Sequence, residues 1–391
     1  MYDTLVVGAG PVGSYLAGRL ASWGHRVLVV ERQAGFGKAT CCTGIVSKAC
    51  LEAFHVGRPA VVRESRSARF FSPSGECVRM ARESTQAVVL DRTAFDAELA
   101  RDAQAAGAEY LMSSEVVRVA NTGEAATVQV STQGRESTIS ASALAIASGF
   151  NSGIPDLLGL GHIDNFAMGA QAQVQTMGIE EVEVYFGSHL APGFFAWLVP
   201  TSDSTALAGL LSRRNTASHM TAFLNKLQTE HRIASLPSRV RHGGVPLRPL
   251  RKTCGERVVV VGDAAGQVKP TTGGGIYYGL LCADMAADVL HRAISRDDFS
   301  ARSLSSYERR WKLALGRELR LGRWARWLFE KLNDRQIDYI FRRAGERHIP
   351  EALLAPDVFS FDSHSRMILR GSRLFGVAGA AGLLRRFARG K

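Results

Sequence analysis

The apolar positions of this chain fall into short dense runs in its first third and into helical stripes toward its end. Thr4-Leu5-Val6-Val7 is a continuous run of the kind buried on both faces of a parallel sheet, and Gly8-Ala9-Gly10-Pro11-Val12-Gly13 follows at once. Residues 14–23 are helix-compatible, Gly24 can end that helix, and Arg26-Val27-Leu28-Val29-Val30 predicts a second buried strand closing on Glu31. Together they make a strand–helix–strand unit of about 30 residues. A helical pattern from Arg92 to Ala106 stops at Gly107, and the alternating segments 115–120 and 126–131 predict strands around Asn121-Thr122-Gly123. The run Ala141 to Ala147 leads to Ser148-Gly149, and alternation with aromatic residues over 165–211 predicts a second, more antiparallel sheet. A β-branched run, Arg257 to Val261, stops at Gly262-Asp263 and is followed by a glycine-rich loop and a long helix from about Gly275 to Ala293. From Ser305 onward the pattern is helical, basic and aromatic, and no internal repeat is visible.

Charge sharpens this division. The chain has 391 residues with 48 Lys+Arg against 36 Asp+Glu, a formal net charge of +12. Residues 1–300 hold 28 basic and 27 acidic side chains, and residues 301–391 hold 20 and 9, so the last segment carries +11 of the +12. A chain-wide grip on a polyanion would need basic residues throughout; what remains is a neutral body with a cationic C-terminal extension. With 21% charged residues and 39 Gly against 12 Pro, the chain is neither disordered nor collagen-like. Its six Cys lack both the density of a disulfide scaffold and the paired spacing of a zinc site, which predicts a reducing, cytoplasmic setting and no metal. The first strand begins so early that no signal or transit peptide is expected. The apolar run Phe375 to Leu384 has ten residues against the ~20 a spanning helix needs, so no transmembrane helix is expected.

Each glycine of the first turn has a physical task. Gly8 permits the tight turn, Gly10 lets backbone approach a pyrophosphate, and Gly13 allows close helix–strand packing. Pro11 opens the helix whose positive end would face the phosphates, and Glu31, 23 residues after Gly8, stands near the usual ribose-binding distance. Arg32, Gly44 and Val117 join these as cofactor-side candidates. The bland alternative makes the turn structural and Glu31 a solvated charge.

The dinucleotide is indicated by a second signature some 250 residues later. Gly262-Asp263-Ala264-Ala265-Gly266, followed by Pro270-Thr271-Thr272-Gly273-Gly274-Gly275-Ile276, resembles the second FAD fingerprint of flavoproteins with the p-hydroxybenzoate hydroxylase fold. The resemblance implies that Asp263 binds the ribityl chain and that Gly274, Gly275 and the helix start at Ile276 face the flavin pyrimidine, where a helix N-terminus would stabilise negative charge on the reduced ring. Val88-Val89-Leu90-Asp91-Arg92-Thr93-Ala94-Phe95-Asp96 resembles the family's strand–Arg–helix element, which implies that Arg92 reaches the FAD; a plain surface charge is the alternative. Where that family often has Asp-Gly, this chain departs with Ser148-Gly149.

Two further stretches narrow the resemblance. Thr40-Cys41-Cys42-Thr43-Gly44-Ile45-Val46-Ser47 is similar to the Cys-x-Gly element of the geranylgeranyl reductase family, and Pro192-Gly193-Phe194-Phe195-Ala196-Trp197-Leu198-Val199-Pro200 to its aromatic Pro-Gly-x-x-x-Trp-x-x-Pro segment. That family uses reduced FAD to saturate C=C bonds of prenyl chains in archaeal-type lipids, chlorophyll side chains or quinones. Prenyl chains lack a polar handle, so an apolar slot lined by Tyr185, Phe186, Phe194, Phe195 and Trp197 would bind them by burial, at about 25 cal/mol per Å²; the alternative makes these aromatics sheet core. Cys42 is the residue expected nearest the flavin, as proton donor or gate, against the alternative of an inert buried thiol.

No second strand–GxGxxG–helix unit follows, since Gly376, Gly379 and Gly382 lie in a basic tail without a preceding strand. NAD(P)H docking transiently, or a small electron carrier, is therefore expected as reductant. In the tail, Leu321, Trp324, Leu328 and Leu332 project on one helical face, with Arg320, Arg323 and Arg326 on another arc. Arg366, Arg370 and Arg373 repeat the spacing, and the chain ends Leu383-Leu384-Arg385-Arg386-Phe387-Ala388-Arg389-Gly390-Lys391. Basic amphipathic segments with aromatics read as contacts with an anionic membrane surface, against simple packing on the body. No nucleic-acid motif is present, and no nucleic-acid partner is expected.

The expectation is an α/β protein with a Rossmann-like FAD-binding domain (1–64, 85–160 and 245–300), an antiparallel substrate-binding sheet (65–84 and 161–244) and a basic helical C-terminal region (301–391). Its expected work is FAD-dependent saturation of prenyl chains on a lipid, quinone or pigment precursor. An FAD monooxygenase or halogenase on the same fold is the rival, although Phe195-Ala196-Trp197-Leu198-Val199-Pro200 lacks the first Trp and the Ile of the Trp-x-Trp-x-Ile-Pro segment that halogenases favour. A non-catalytic flavin- or lipid-binding protein is the third reading.

Overall fold

Buried runs from the start, the middle and the later part of the chain lie side by side in one sheet. In the computed structural model, which describes residues 1–37, 41–54, 57 and 60–374, strand Tyr2–Val7 pairs in parallel with Val27–Val30 and with the end of the long strand Arg135–Ile146. Val258–Val260 continues the parallel order beyond that long strand, and Glu109–Leu111 adds to Val27–Val30 on the other edge. Such strands are apolar throughout because both faces are covered. Val6, Val27, Val29, Ala145 and Val259 face helices Pro11–Ser22 and Ile276–Arg296, whereas Leu5, Val7, Leu28, Val30, Ile146 and Val260 face the hairpin Ser114–Asn121/Ala126–Thr132.

A seven-stranded sheet forms the second layer, in the order Arg241–Pro246, Phe166–Gln175, Thr205–Ser212, Ala196–Pro200, Val182–Tyr185, Ser67–Phe71, Cys77–Ala81. Every pairing is antiparallel except Val182–Tyr185 with Ser67–Phe71, which joins residues from two distant segments in parallel. Helix Thr216–Thr229 covers one face through Met220, Phe223, Leu224 and Leu227. A small sheet of Ile45–Ser47, Ala87–Leu90 and Val61–Ser65, not foreseen from the sequence, bridges the two layers, with Val89 packed against Val182 and Val199.

The C-terminal region corrects the picture of a basic appendage. Helix Ala301–Phe329 lays Leu304, Tyr307, Trp311, Leu315 and Leu319 into the same core as the parallel sheet. Its buried polar tips are satisfied: the Tyr307 hydroxyl donates to Val260 O at 2.9 Å, and the Trp311 indole N–H donates to Thr253 Oγ1 at 2.8 Å. Leu321 is buried with this stripe while Leu328 is exposed, so the projected apolar face divides between core and solvent. Arg326, expected beside Arg320 and Arg323 on a solvated arc, is only 7% exposed. Helices Asp334–Glu346, Ile349–Leu353 and Ser365–Leu374 follow. Among the described residues no helix is long and apolar enough to cross a membrane. Thr40 and the tail from Phe375 to Lys391, with Gly376, Gly379 and Gly382, lie outside the described residues.

Candidate functional site

The first glycine turn is held by backbone packed against backbone. Gly8 has φ +105°, and a Cβ there would lie 2.5 Å from Ala147 O; a Cβ on Gly13 would lie 2.0 Å from Gly8 O. Gly10 differs from both, because nothing stands within 4 Å of where its Cβ would be. Its open face, with Pro11 starting the helix and no acid in the first turn, leaves a cradle of free N–H groups suited to an anion. Glu31 is no solvated charge: it accepts the Ala9 N–H at 2.8 Å and the Gln33 N–H at 2.8 Å, which fixes the carboxylate and leaves lone pairs for ribose hydroxyls. Arg32 points to solvent, and Val117 sits in a register shift of its hairpin with its side chain 45% exposed. At the Ser148-Gly149 departure, Ser148 Oγ donates to Ser152 Oγ at 2.6 Å.

The second loop meets the first turn directly. Cβ atoms on Gly262 and Gly279 would lie 3.2 Å and 2.5 Å from Val12 side-chain carbons. Asp263 follows, and no hydrogen-bond partner for its carboxylate exists among the described residues. A Cβ on Gly275 would lie 2.5 Å from Asp263 Oδ1, so the glycine before Ile276 is what lets this acid face the start of helix Ile276–Arg296. An acceptor without a partner, beside an open glycine cradle, fits a ribityl hydroxyl and a diphosphate. Burial raises the Asp263 pKa to about 6, opposed by Arg92.

Arg92 is buried rather than a surface charge. It holds Asp96 by two Nη2 bonds, at 3.0 and 3.1 Å, and Asp96 is 2% exposed. Burial opposes the guanidinium charge, but the neighbouring Cys42 sulfur and Asp96 outweigh it and raise its pKa. Cys42 Sγ accepts the Gly44 N–H at 3.4 Å, and Gln171 of the large sheet donates to Cys42 O at 3.2 Å. Gly44 (φ +70°) brings this loop against Leu90 O, where a Cβ would be 2.5 Å away. Cys42 thus stands between the nucleotide side and the substrate sheet.

The aromatic candidates do not line one slot. Tyr185 stacks on Phe71 at 4.8 Å and meets Phe223 at 5.4 Å, in the core between sheet and helix. Phe194 is 1% exposed beneath Arg326. Phe186 meets Phe329 and Phe341 of the C-terminal helices at 5.5 and 5.7 Å and Phe195 at 6.4 Å. Trp197 lies over Gly209, and Gly209 pairs in turn with Gln171, so the indole shares the sheet face that meets Cys42. Its buried Nε1 has no hydrogen-bond partner among the described residues.

Sequence reasoning missed the clamp beneath the second loop. Lys269, 5% exposed, pairs with Asp362 at 3.0 Å and donates to Phe361 O at 3.0 Å, while Ser47 Oγ holds the other Asp362 oxygen. Beside them Thr271 Oγ1 meets His364 Nδ1 at 2.6 Å; burial, then Lys269, lowers the His364 pKa to about 4. A lysine inside a glycine-rich loop is the local signal, but its partner lies 93 residues away. Gly243 and Gly244, which let Cys41 and Phe150 rest on the edge strand, were also passed over.

A family model described as an FAD binding domain matches residues 1–310. The chain is 32% identical over 359 residues, 88% of this chain and 91% of the relative, to the digeranylgeranylglycerophospholipid reductase of Methanocaldococcus jannaschii. Its fold is similar to the crystal structure of a geranylgeranyl bacteriochlorophyll reductase-like protein from Thermoplasma acidophilum, with TM-score 0.88 and 23% identity over 98% of this chain and 99% of that one. A flavin-dependent brominase has the same fold at TM-score 0.71 and 15% identity over 98% of this chain and 97% of that one.

Asp263 makes the empty and loaded proteins respond in opposite directions. With its pKa raised in the fold from 3.8 to about 6, its contribution to stability is complete below about pH 4 and is lost as pH rises through 6. Asp263→Asn is therefore expected to raise the melting temperature of FAD-free protein at pH 8, with the gain vanishing below pH 4. The same variant should bind FAD roughly 10- to 100-fold more weakly, as expected for a lost hydrogen bond to a charged acceptor. Thermal scans at the two pH values and a flavin fluorescence titration check both; a pH-independent difference would contradict the assignment.

Proposed function

The chain belongs to the geranylgeranyl reductase family of FAD-binding flavoproteins, and from that premise we propose that it reduces C=C bonds of geranylgeranyl-type chains on a membrane lipid, a glycerophospholipid first, with prenyl quinones and pigment precursors as the wider class. The observation that carries the proposal is the position of Cys42: its sulfur faces Arg92 of the nucleotide side, while its carbonyl is held by Gln171 of the substrate sheet. Relatives named for reducing digeranylgeranylglycerophospholipids support the substrate class. The resemblance to halogenases is one of fold alone.

When bound, FAD in its reduced form supplies the hydride. The chain's residues do the rest. Gly10 and the first helix receive the diphosphate, Glu31 the ribose, and Asp263 the ribityl chain, so the cofactor is oriented by groups already fixed in place. Saturating an isolated alkene also needs a proton at the neighbouring carbon, and Cys42 Sγ is the group placed to deliver it. The sulfur left negative after donation is stabilised by Arg92 and by the Gly44 N–H. Trp197, on the same sheet face, offers the prenyl chain an apolar surface and excludes water. Among the described residues there is no second glycine-turn dinucleotide unit, so NAD(P)H docking transiently or a small electron carrier restores the reduced flavin.

The basic helix supports a peripheral place on the inner face of a membrane. Leu313, Arg317, Arg320, Trp324 and Trp327 recur at three- and four-residue spacing on its outer side, with Leu313 88% and Trp327 54% exposed. This stripe, rather than one containing Arg326, faces outward.

Anaerobic incubation of the FAD-loaded protein, photoreduced, with a digeranylgeranyl glycerophospholipid is expected to add one H2 per double bond, read by mass spectrometry; an unchanged lipid mass would sink the reading. Cys42→Ala should lower turnover by roughly 10²-fold or more with the flavin still bound, the size of a lost general acid, and unchanged turnover would remove Cys42 from the reaction. In a flotation assay the protein should rise with vesicles containing anionic lipid and less with neutral ones. Failure to rise with either would defeat the membrane contact.

A further inference from the structure

Arg326 is a buried cation whose three hydrogen bonds all go to main-chain carbonyls of two remote segments. Its Nε donates to Pro270 O at 3.1 Å, Nη2 donates to Thr271 O, and Nη1 donates to Gly193 O at 2.8 Å. Phe194 covers the guanidinium at 4.5 Å and Phe329 stands 5.7 Å away. Among the described residues no carboxylate bonds to it, and nearby Glu330 is engaged by Arg213 at 2.9 Å. Burial lowers the Arg326 pKa to about 10, with Arg213 adding to the effect and Glu330 opposing it. A leucine would fill such a space without desolvating a charge. What it could not do is bind three carbonyls with one planar fork.

Two glycines mark the approach that the fork fixes. A Cβ on Gly322 would lie 3.2 Å from Pro270 Cδ, and one on Gly193 (φ +71°) would lie 3.0 Å from Glu330 Cγ. The helix therefore sits at closest approach to the flavin-side loop through one glycine and to the aromatic turn through the other, with Arg326 between them. The loop itself is a tight unit, Lys269 N–H to Gly274 O at 3.1 Å and Gly273 N–H to Lys269 O at 2.8 Å, so restraining its tip restrains the start of the helix at Ile276.

We propose that Arg326 is the positioning residue that locks the Pro270–Thr271 loop tip to the aromatic turn at Gly193 and so sets where the flavin-side helix N-terminus stands. This rests on the FAD-binding part of the reading above. The positive helix end favours the negative charge of a reduced flavin, and a loop released by Arg326 withdraws it.

The test compares FAD-loaded parent, Arg326→Lys, Arg326→Met and Gly322→Ala by flavin absorbance and by midpoint potential, measured without lipid. Both Arg326 variants should bind reduced FAD about tenfold less favourably relative to oxidised FAD, a potential lower by ~30 mV for a two-electron couple. Gly322→Ala, which keeps the fork but displaces the helix from Pro270, should shift the potential in the same direction by less. A folded, FAD-loaded Arg326→Lys with the parent's potential and absorbance would overturn the proposal. So would loss of folding in Arg326→Met alone beside an unshifted Arg326→Lys, because the buried cation would then serve folding and not the flavin. Because no lipid enters the measurement, failure of the prenyl-reductase reading leaves this outcome intact, and lipid reduction at an unshifted potential would sink only the present proposal.

Discussion

The Val12 side chain lies where two glycines about 250 residues later, Gly262 and Gly279, have no side chain, and the nucleotide site depends on that contact. It joins the first glycine turn to the second and crosses helix Pro11–Ser22 against Ile276–Arg296 at close range. A methyl group at Gly279 would stand 2.5 Å from Val12 and drive the two halves apart. Tyr307 then secures the second loop from outside: Gln267 Nε2 donates to its hydroxyl at 2.8 Å, while Gln267 Oε1 accepts the Gly262 N–H at 2.8 Å. One cofactor site is thus assembled from the beginning of the chain and from segments about 250 to 300 residues later.

This arrangement explains why function is concentrated where it is. The groups that would touch the cofactor are either immobilised by backbone, as Glu31 is, or, like Asp263, without a hydrogen-bond partner among the described residues. Rigid groups orient a bound molecule, and unpartnered ones gain by binding it. Cys42 stands between two layers held by different interactions, the Arg92–Asp96 pair on one side and Gln171 on the other. The proposed chemistry is thereby assigned to the seam between nucleotide domain and sheet, where a flavin and a long apolar chain would meet.

What was legible in the sequence follows the range of the interactions. The first turn, the Arg92 element and the Gly262–Ile276 loop could be read because each is a local pattern of glycines beside strands, and the FAD assignment rested on them. In the sequence the C-terminal helix has the look of a cationic appendage because charge is visible there and burial is not; the stripe of Leu304, Tyr307, Trp311, Leu315 and Leu319 that carries the packing stands out less than the arginines. Arg326 could not be told from Arg320 by spacing, since only the carbonyls of Pro270, Thr271 and Gly193 distinguish it. The aromatics were grouped by proximity in sequence, but strand alternation sends Tyr185 to the helix-covered face and Trp197 to the other.

If the nucleotide site is one cooperative unit built from distant segments of the chain, native-state hydrogen exchange of the full-length protein should show it. Amides of helices Pro11–Ser22 and Ile276–Arg296 and of the buried part of Ala301–Phe329 are predicted to share one opening free energy, and to gain protection together as FAD is added. Exchange of the Ala301–Phe329 amides at the rate of an independent helix, unmoved by FAD while the other two respond, would contradict the account.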